Sequence, residues 1–226
     1  MLDDHNHNNL WADTASVPPA TTVLSRDHVA DVAIIGGGFT GLSAALDLAE
    51  LDQHAIVLEA RDIGHGGSGR NVGLVNAGMW VMPNDLIDAQ GLEWGTRLIQ
   101  ALGDGPALVF DLIARFGIEC EAVRNGTLHL GVGSAGDKEL GEREAQWQAL
   151  GAPVRRLNRA DAEVLTGTSA FSSALLDERA GTLQPLSYAR GLAAAAQAAG
   201  ATIFTHSPVT SAHHENDHWT LETPGG

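Results

Sequence analysis

The sequence predicts an α/β protein (α+β overall) built on a β-α-β crossover, and three observations carry that prediction. Val32 to Ile35 form a short apolar run leading straight into Gly36-Gly37-Gly38-Phe39-Thr40-Gly41, so a buried strand meets a glycine-spaced turn. Leu42, Ala45, Leu46 and Ala49 then recur at helical spacing and put one apolar stripe on the following segment. A second apolar run, Ala55 to Leu58, ends on an acid, Glu59.

The turn requires glycine for steric reasons. Gly36, Gly38 and Gly41 fit G-x-G-x-x-G: the first permits a tight turn, the second lets a pyrophosphate approach the backbone, and the third lets helix pack closely on strand. Phosphate charge would rest on the free amides at the helix start. Glu59 follows Gly36 at close to the offset expected of an acid that holds ribose hydroxyls. A strand-turn-helix with an incidental acid is the plainer alternative, and the agreement of all five parts in order and spacing argues against it.

The rest of the chain reads as follows. Residues up to 30 make a loose N-terminal arm holding Trp11, Pro18 and Pro19. Arg61 to Gly73 is a glycine-dense loop of the kind that lets a ligand touch backbone. Helical spacing from Asn84 to Leu102 predicts one helix, and Asp104-Gly105-Pro106 is expected to break it and open a second, Ala107 to Phe116. Ile118 to Val123 and Thr127 to Val132 flank Arg124-Asn125-Gly126 and predict a hairpin. A helix over Ala135 to Leu150 is expected to be capped by Ser134 and stopped at Gly151, and a short one through Leu165 to be capped by Asn158. Ala174 to Leu176 and Gly181 to Leu183 read as strands, Tyr188 to Ala199 as an alanine-rich helix capped by Ser187, and Thr202 to Phe204 and Trp219 to Glu222 as strands.

Composition bounds the partners. Formal charge is −15 with a pI near 4.8, which argues against nucleic acid and anionic membrane surfaces. Met1 to Asn9 have no basic start and no apolar run, so no signal peptide is expected, and no run approaches a membrane span. The single cysteine, Cys120, fits a reducing compartment and reads as structural; a cytoplasmic location is the expectation. His5 with His7, and His213 and His214 with His218, lack carboxylate or cysteine company at a zinc spacing, so no metal site is expected.

With Gly36 to Gly41, the Leu58-Glu59-Ala60 segment and Gly67-Ser68-Gly69-Arg70-Asn71 in hand, the chain resembles FAD-dependent oxidoreductases of the D-amino-acid oxidase superfamily. Within it, Leu10 to Ala15, Asn125 to Leu128 and Ala180 to Pro185 are similar to the gamma-glutamylputrescine oxidoreductase-like branch. The resemblance implies a Rossmann-like FAD-binding domain interrupted by a mixed-sheet-plus-helices substrate domain. Its first part would cover 31–82 after an arm of 1–30, the partial substrate domain 83–184, and the return 185–226. It implies FAD as cofactor, a small-molecule amine or amino acid as substrate, and hydride transfer to flavin N5 giving an imine that hydrolyses to aldehyde or keto acid.

Residue by residue, the resemblance assigns Gly36, Gly38, Phe39, Thr40 and Gly41 to the pyrophosphate, and Glu59, with Ala60 and Arg61 beside it, to the adenosine ribose. Ser68, Gly69, Arg70 and Asn71 fall along the pyrophosphate toward the flavin, and Val209 at the adenine. A surface charge for Arg70 and turn chemistry for Asn71 are the plainer alternatives. Two departures stand out: Val72 replaces a glycine of the branch and would resist positive φ, and His65 stands where the branch often has Trp. Some members attach FAD through histidine, but His65 reads better as a polar loop residue. No catalytic residue is assigned. Members of the branch continue well past residue 226, so this chain reads as an N-terminal portion whose C-terminal half is missing. A C-terminal segment or partner chain is expected to complete it, and a catalytically incompetent fragment that binds FAD weakly or not at all is the alternative. A nicotinamide-dependent dehydrogenase is disfavoured by Ser68 to Asn71.

Overall fold

The structure, a computed structural model, describes residues 9–226. In chain order the elements are α1 (Leu10–Thr14), β1 (Val32–Ile35), α2 (Phe39–Glu50), β2 (Ala55–Leu58), β3 (Leu74–Val75), α3 (Pro83–Phe116), β4 (Thr127–Gly131), α4 (Gly133–Ala149), β5 (Val154–Leu157), α5 (Arg159–Thr166), β6 (Ser173–Asp177), β7 (Gly181–Thr182), α6 (Pro185–Ala199), β8 (Thr202–Phe204), β9 (Ser211–Glu215) and β10 (His218–Glu222). The chain divides into two compact units: unit 1 comprises residues up to 73, 113–121 and 184–226, and unit 2 comprises 74–112 and 122–183.

Unit 1 holds a parallel sheet of order β1-β2-β8. Val32 sits opposite Ala55 and Ile35 opposite Leu58, while Ile56 to Leu58 pair with Thr202 to Phe204. β2 is buried along its whole length, as a central parallel strand must be. The stripe read from α2 is its buried face, Leu42, Ala45, Leu46 and Ala49, and it packs on α6, whose Ala189, Leu192, Ala193 and Ala196 are buried in turn. Each fully buried leucine there contributes roughly 2 kcal/mol. Leu24, Ile56, Leu58 and Phe204 form a second cluster with Val209 and Leu221 against it.

The arm expected to be loose is tied down over its described residues. Trp11 Nε1 donates to the Asn71 carbonyl at 2.8 Å, Gln184 Nε2 to the Trp11 carbonyl at 2.8 Å, and the Ser16 amide to Ser187 Oγ at 3.0 Å. The cap of α6 therefore shifts: Gln184 accepts from the Ser187 amide, and Ser187 serves the arm instead. β9 and β10 form a hairpin whose central Asn216 and Asp217 both have positive φ, the signature of a type I′ turn.

Unit 2 carries an antiparallel sheet of order β4-β6-β5 and the small β3-β7 pair. The expected Arg124-Asn125-Gly126 hairpin does not form. Glu121 adopts φ 51°, Val123 bridges Thr182, and Thr127 to Gly131 pair with Ser173 to Asp177. The turn exists, with Gly126 at φ 80° and its amide on the Ala180 carbonyl, but its flanks find partners far along the chain. β5, whose Val154 and Leu157 are buried around two exposed arginines, has too few residues to show alternation in the sequence.

The helix break also moves. α3 runs through Pro106 and is interrupted at Gly91, which has φ 78° and ψ 161°. Pro106 has no amide for the Leu102 carbonyl, and that carbonyl accepts the Gly78 amide at 3.1 Å instead. α4 begins at Gly133 behind Val132, with Ser134 inside its first turn rather than at the cap. Asn158 does cap α5, accepting the Asp161 amide at 3.0 Å.

Candidate functional site

The mouth of the β1-α2 connection in unit 1 is where the sequence places its ligand chemistry. Gly36 has φ 104°, a conformation glycine adopts without strain, and its amide donates to the Leu58 carbonyl at 2.9 Å. A Cβ on Gly41 would overlap the Gly36 carbonyl and meet Ile34 at 3.1 Å, so glycine is what lets α2 approach β1. A Cβ on Gly38 would stand 2.8 Å from Ser68 Oγ.

Three groups converge on this turn. Glu59, directly after β2, accepts the Gly37 amide on Oε2 at 2.6 Å and the Arg61 amide on Oε1 at 2.7 Å. Each carboxylate oxygen has a second lone-pair direction, so the acid keeps acceptor capacity beyond these bonds. Ser68 Oγ accepts the Phe39 amide at 3.0 Å and thereby caps α2 from the glycine loop. The Thr40 and Gly41 amides, in the same first turn, have no helical acceptor. Phe39 stacks at 5.3 Å on Tyr188, whose hydroxyl burial pushes up to about 12.

The structure thus brings Gly36, Gly38, Phe39, Thr40, Gly41, Glu59, Ala60, Arg61 and Ser68 to one turn. Gly64, which the sequence did not single out, closes it: its amide donates to the Gly37 carbonyl at 2.9 Å. Gly69 is buried where a Cβ would strike the Gly64 carbonyl. Asn71 serves its own loop, donating to the Ser68 carbonyl at 2.9 Å and accepting the Gly73 amide at 2.8 Å. Arg70 is exposed, with Nε on the Gly66 carbonyl at 3.3 Å. Val209 packs against the cluster of Leu24, Ile56, Leu58 and Phe204. The left-handed residues of the loop are Gly64, at φ 70°, and Gly73, at φ 74°, so Val72 is spared the strain its side chain would cause. His213 and His214 lie on β9, and His214 stacks on Trp219; His5 and His7 lie outside the described residues. Among the described residues no three metal-ligating side chains cluster and no helix is long and apolar enough to cross a membrane.

The donor set suits a dinucleotide with a pyrophosphate and a ribose diol: amides without acceptors at a helix start, backbone free of side chains, and a fixed carboxylate. The chain is of that class, and the comparisons with known proteins give the family. The model of the DAO family, described as FAD dependent oxidoreductase, matches residues 31–226, and the chain belongs to that family, whose cofactor is FAD. It is 32% identical to the gamma-glutamylputrescine oxidoreductase of Escherichia coli (strain K12) over 94% of this chain and 50% of that protein. It is 26% identical to the glycine oxidase of Geobacillus kaustophilus (strain HTA426) over 88% of this chain and 52% of that one. The crystal structure of the Geobacillus kaustophilus glycine oxidase superposes with a TM-score of 0.74 at 25% identity, covering 88% of this chain and 53% of that chain. An L-amino acid deaminase from Proteus myxofaciens shares the fold, with a TM-score of 0.76 at 19% identity over 93% of this chain and 46% of that chain. The chain spans about half the length of the curated relatives it matches.

Unit 2 contains a separate feature that no sequence motif announced, a cavity of about 730 Å³ whose lining includes Asn76, Trp80, His129, Arg143 and Trp147. These residues come from a loop, a strand and a helix, with no fixed spacing between them.

Proposed function

We propose that this chain holds the adenosine-pyrophosphate half of FAD at the Gly36 to Gly41 turn and serves in the oxidation of an amine or amino acid. The observation that carries the reading is the Glu59 carboxylate fixed on the Gly37 amide, with acceptor capacity to spare for ribose hydroxyls. Gly36 and Gly41 set the turn, and the Thr40 and Gly41 amides would face the pyrophosphate. Ser68, now on the Phe39 amide, would share that amide or turn its hydroxyl to a phosphate oxygen. Gly69, Arg70 and Asn71 would continue the binding path, and Val209 would pack toward the adenine. Bound FAD supplies a hydride acceptor at the flavin N5, the chemistry that turns an amine into an imine open to hydrolysis. The family match and the named activities of the relatives support an amine or amino acid as substrate. The single cysteine, Cys120, fits a cytoplasmic location.

A second reading, FAD binding without turnover unless a C-terminal segment or partner chain is present, is favoured by one observation. β1 is bonded on one side only, and Ala33 and Ile35 on it are exposed, so the sheet has room for a further strand. Anaerobic addition of an amine panel to the FAD-loaded chain separates the two. Bleaching of the flavin absorbance supports oxidation, bound FAD with no bleaching supports the second reading, and failure to bind FAD overturns the oxidation reading and leaves a fragment that does not hold the cofactor.

A further inference from the structure

Trp11 and Gln184 lie more than 170 residues apart in the sequence and meet within unit 1. The Gln184 side chain is 1% exposed and each of its polar atoms is paired. Nε2 donates to the Trp11 carbonyl at 2.8 Å and to the Thr14 hydroxyl at 3.2 Å, while Oε1 accepts the Ser187 amide at 2.7 Å. The main chain of α1 is thereby anchored on the start of α6.

From that anchor the arm reaches the glycine loop. The Trp11 indole, a donor only, gives its N–H to the Asn71 carbonyl at 2.8 Å. The Asn71 side chain is satisfied inside the loop, with Nδ2 on the Gly67 and Ser68 carbonyls at 3.2 and 2.9 Å and Oδ1 on the Gly73 amide at 2.8 Å. Ser68 Oγ holds the Phe39 amide, and a Cβ on Gly69 would stand 2.9 Å from Leu186 Cδ1. The loop is therefore pinned at Ser68 by the turn, at Gly69 by α6 and at Asn71 by the arm. The last joint lies at an open wall. Trp11, Arg70, Asn71 and Val72 border a cavity of about 530 Å³, Trp11 and Asn71 are only partly buried, and Val72 is 75% exposed. Such a bond shapes a surface loop rather than a core.

We infer that Trp11 is a positioning residue for FAD. Its indole N–H, set in place by Gln184, holds the Asn71 carbonyl and with it the Ser68 to Asn71 segment in the shape that receives the cofactor. The inference rests on the reading of the Gly36 turn and this segment as the FAD site. A loop ordered in advance binds more tightly, because the ordering entropy is not lost at the moment of binding. Coupling of this kind is reciprocal, so bound FAD tightens the arm in return.

The test compares the whole chain with three variants. Trp11→Phe keeps a ring and removes the donor, Trp11→His returns a ring N–H at Nε2, and Val17→Ala trims a side chain farther along the arm that is 89% exposed. Without ligand, hydrogen exchange over residues 67–73, followed by mass spectrometry, should run at least about fivefold faster in Trp11→Phe, with a melting temperature within about 2 °C of the unaltered chain. FAD affinity, read by quenching of flavin fluorescence, should fall about fivefold in the same variant. Trp11→His should recover part of both losses, and Val17→Ala should change neither. Unchanged exchange, unchanged FAD affinity, or Val17→Ala matching Trp11→Phe would overturn the inference and leave the FAD reading in place. Failure of the unaltered chain to bind FAD would overturn the two together.

Discussion

The carboxylate of Glu59 and the amide of Gly37 are 2.6 Å apart, joining the end of β2 to the turn after β1. Acid and glycine turn are therefore held together by the protein itself rather than assembled around a ligand. Because the acceptor is ionised, the bond is of the stronger kind, worth about 1.5–3 kcal/mol. Glu59→Gln keeps the shape and removes the charge. We expect it to weaken FAD about tenfold to a hundredfold, read by quenching of flavin fluorescence, with a lowered urea midpoint.

Gly41→Ala places a methyl group on the Gly36 carbonyl, a backbone atom that cannot rotate away. Overpacking of this kind costs about 1–3 kcal/mol, or a fall of roughly 2–12 °C in melting temperature for a protein of this size. Thermal unfolding followed by circular dichroism checks it. An unchanged melting temperature would mean that α2 does not approach β1 so closely.

Tyr188 is the single tyrosine, so its titration is unambiguous. Burial raises it from 10.0 to about 12. In that window the folded protein holds a proton that the unfolded chain has lost, so stability falls as pH rises from 10 toward 12. Phenolate absorbance should emerge late in native protein and near the ordinary value in urea.

His129 works in the opposite direction. Its pKa is lowered by burial first and by Arg143 second, so below its ordinary 6.5 the unfolded chain binds the proton before the folded one. Acidification from about pH 7 to about pH 5 should cost stability through this residue, and His129→Gln should reduce the loss. Urea midpoints of the two proteins at both pH values measure the difference.

The local signals in the sequence were the ones that depended on nearest neighbours. β1, the buried face of α2, β2 and the Asn158 cap follow from spacing and side-chain chemistry within a few residues. The hairpin at Asn125-Gly126 failed because β4 pairs with β6, some forty-five residues away, which no turn dipeptide reveals. α3 continues through Pro106 because the freed Leu102 carbonyl is satisfied by Gly78 from another segment. At the candidate site the glycines and Glu59 were legible, whereas Gly64 and the Trp80-His129-Arg143 cluster are brought together only by tertiary packing.

In the proposed function the Gly36 turn and Glu59 meet the pyrophosphate and ribose, so the adenosine half of the cofactor carries the binding. Titrating the chain in parallel with FAD and with FMN, which carries the same flavin without the adenosine monophosphate, tests this most directly. We expect stoichiometric FAD binding, with FMN weaker by at least about tenfold and the gap closing in Glu59→Ala. FMN binding as tightly as FAD, or a chain that takes up neither, would contradict it.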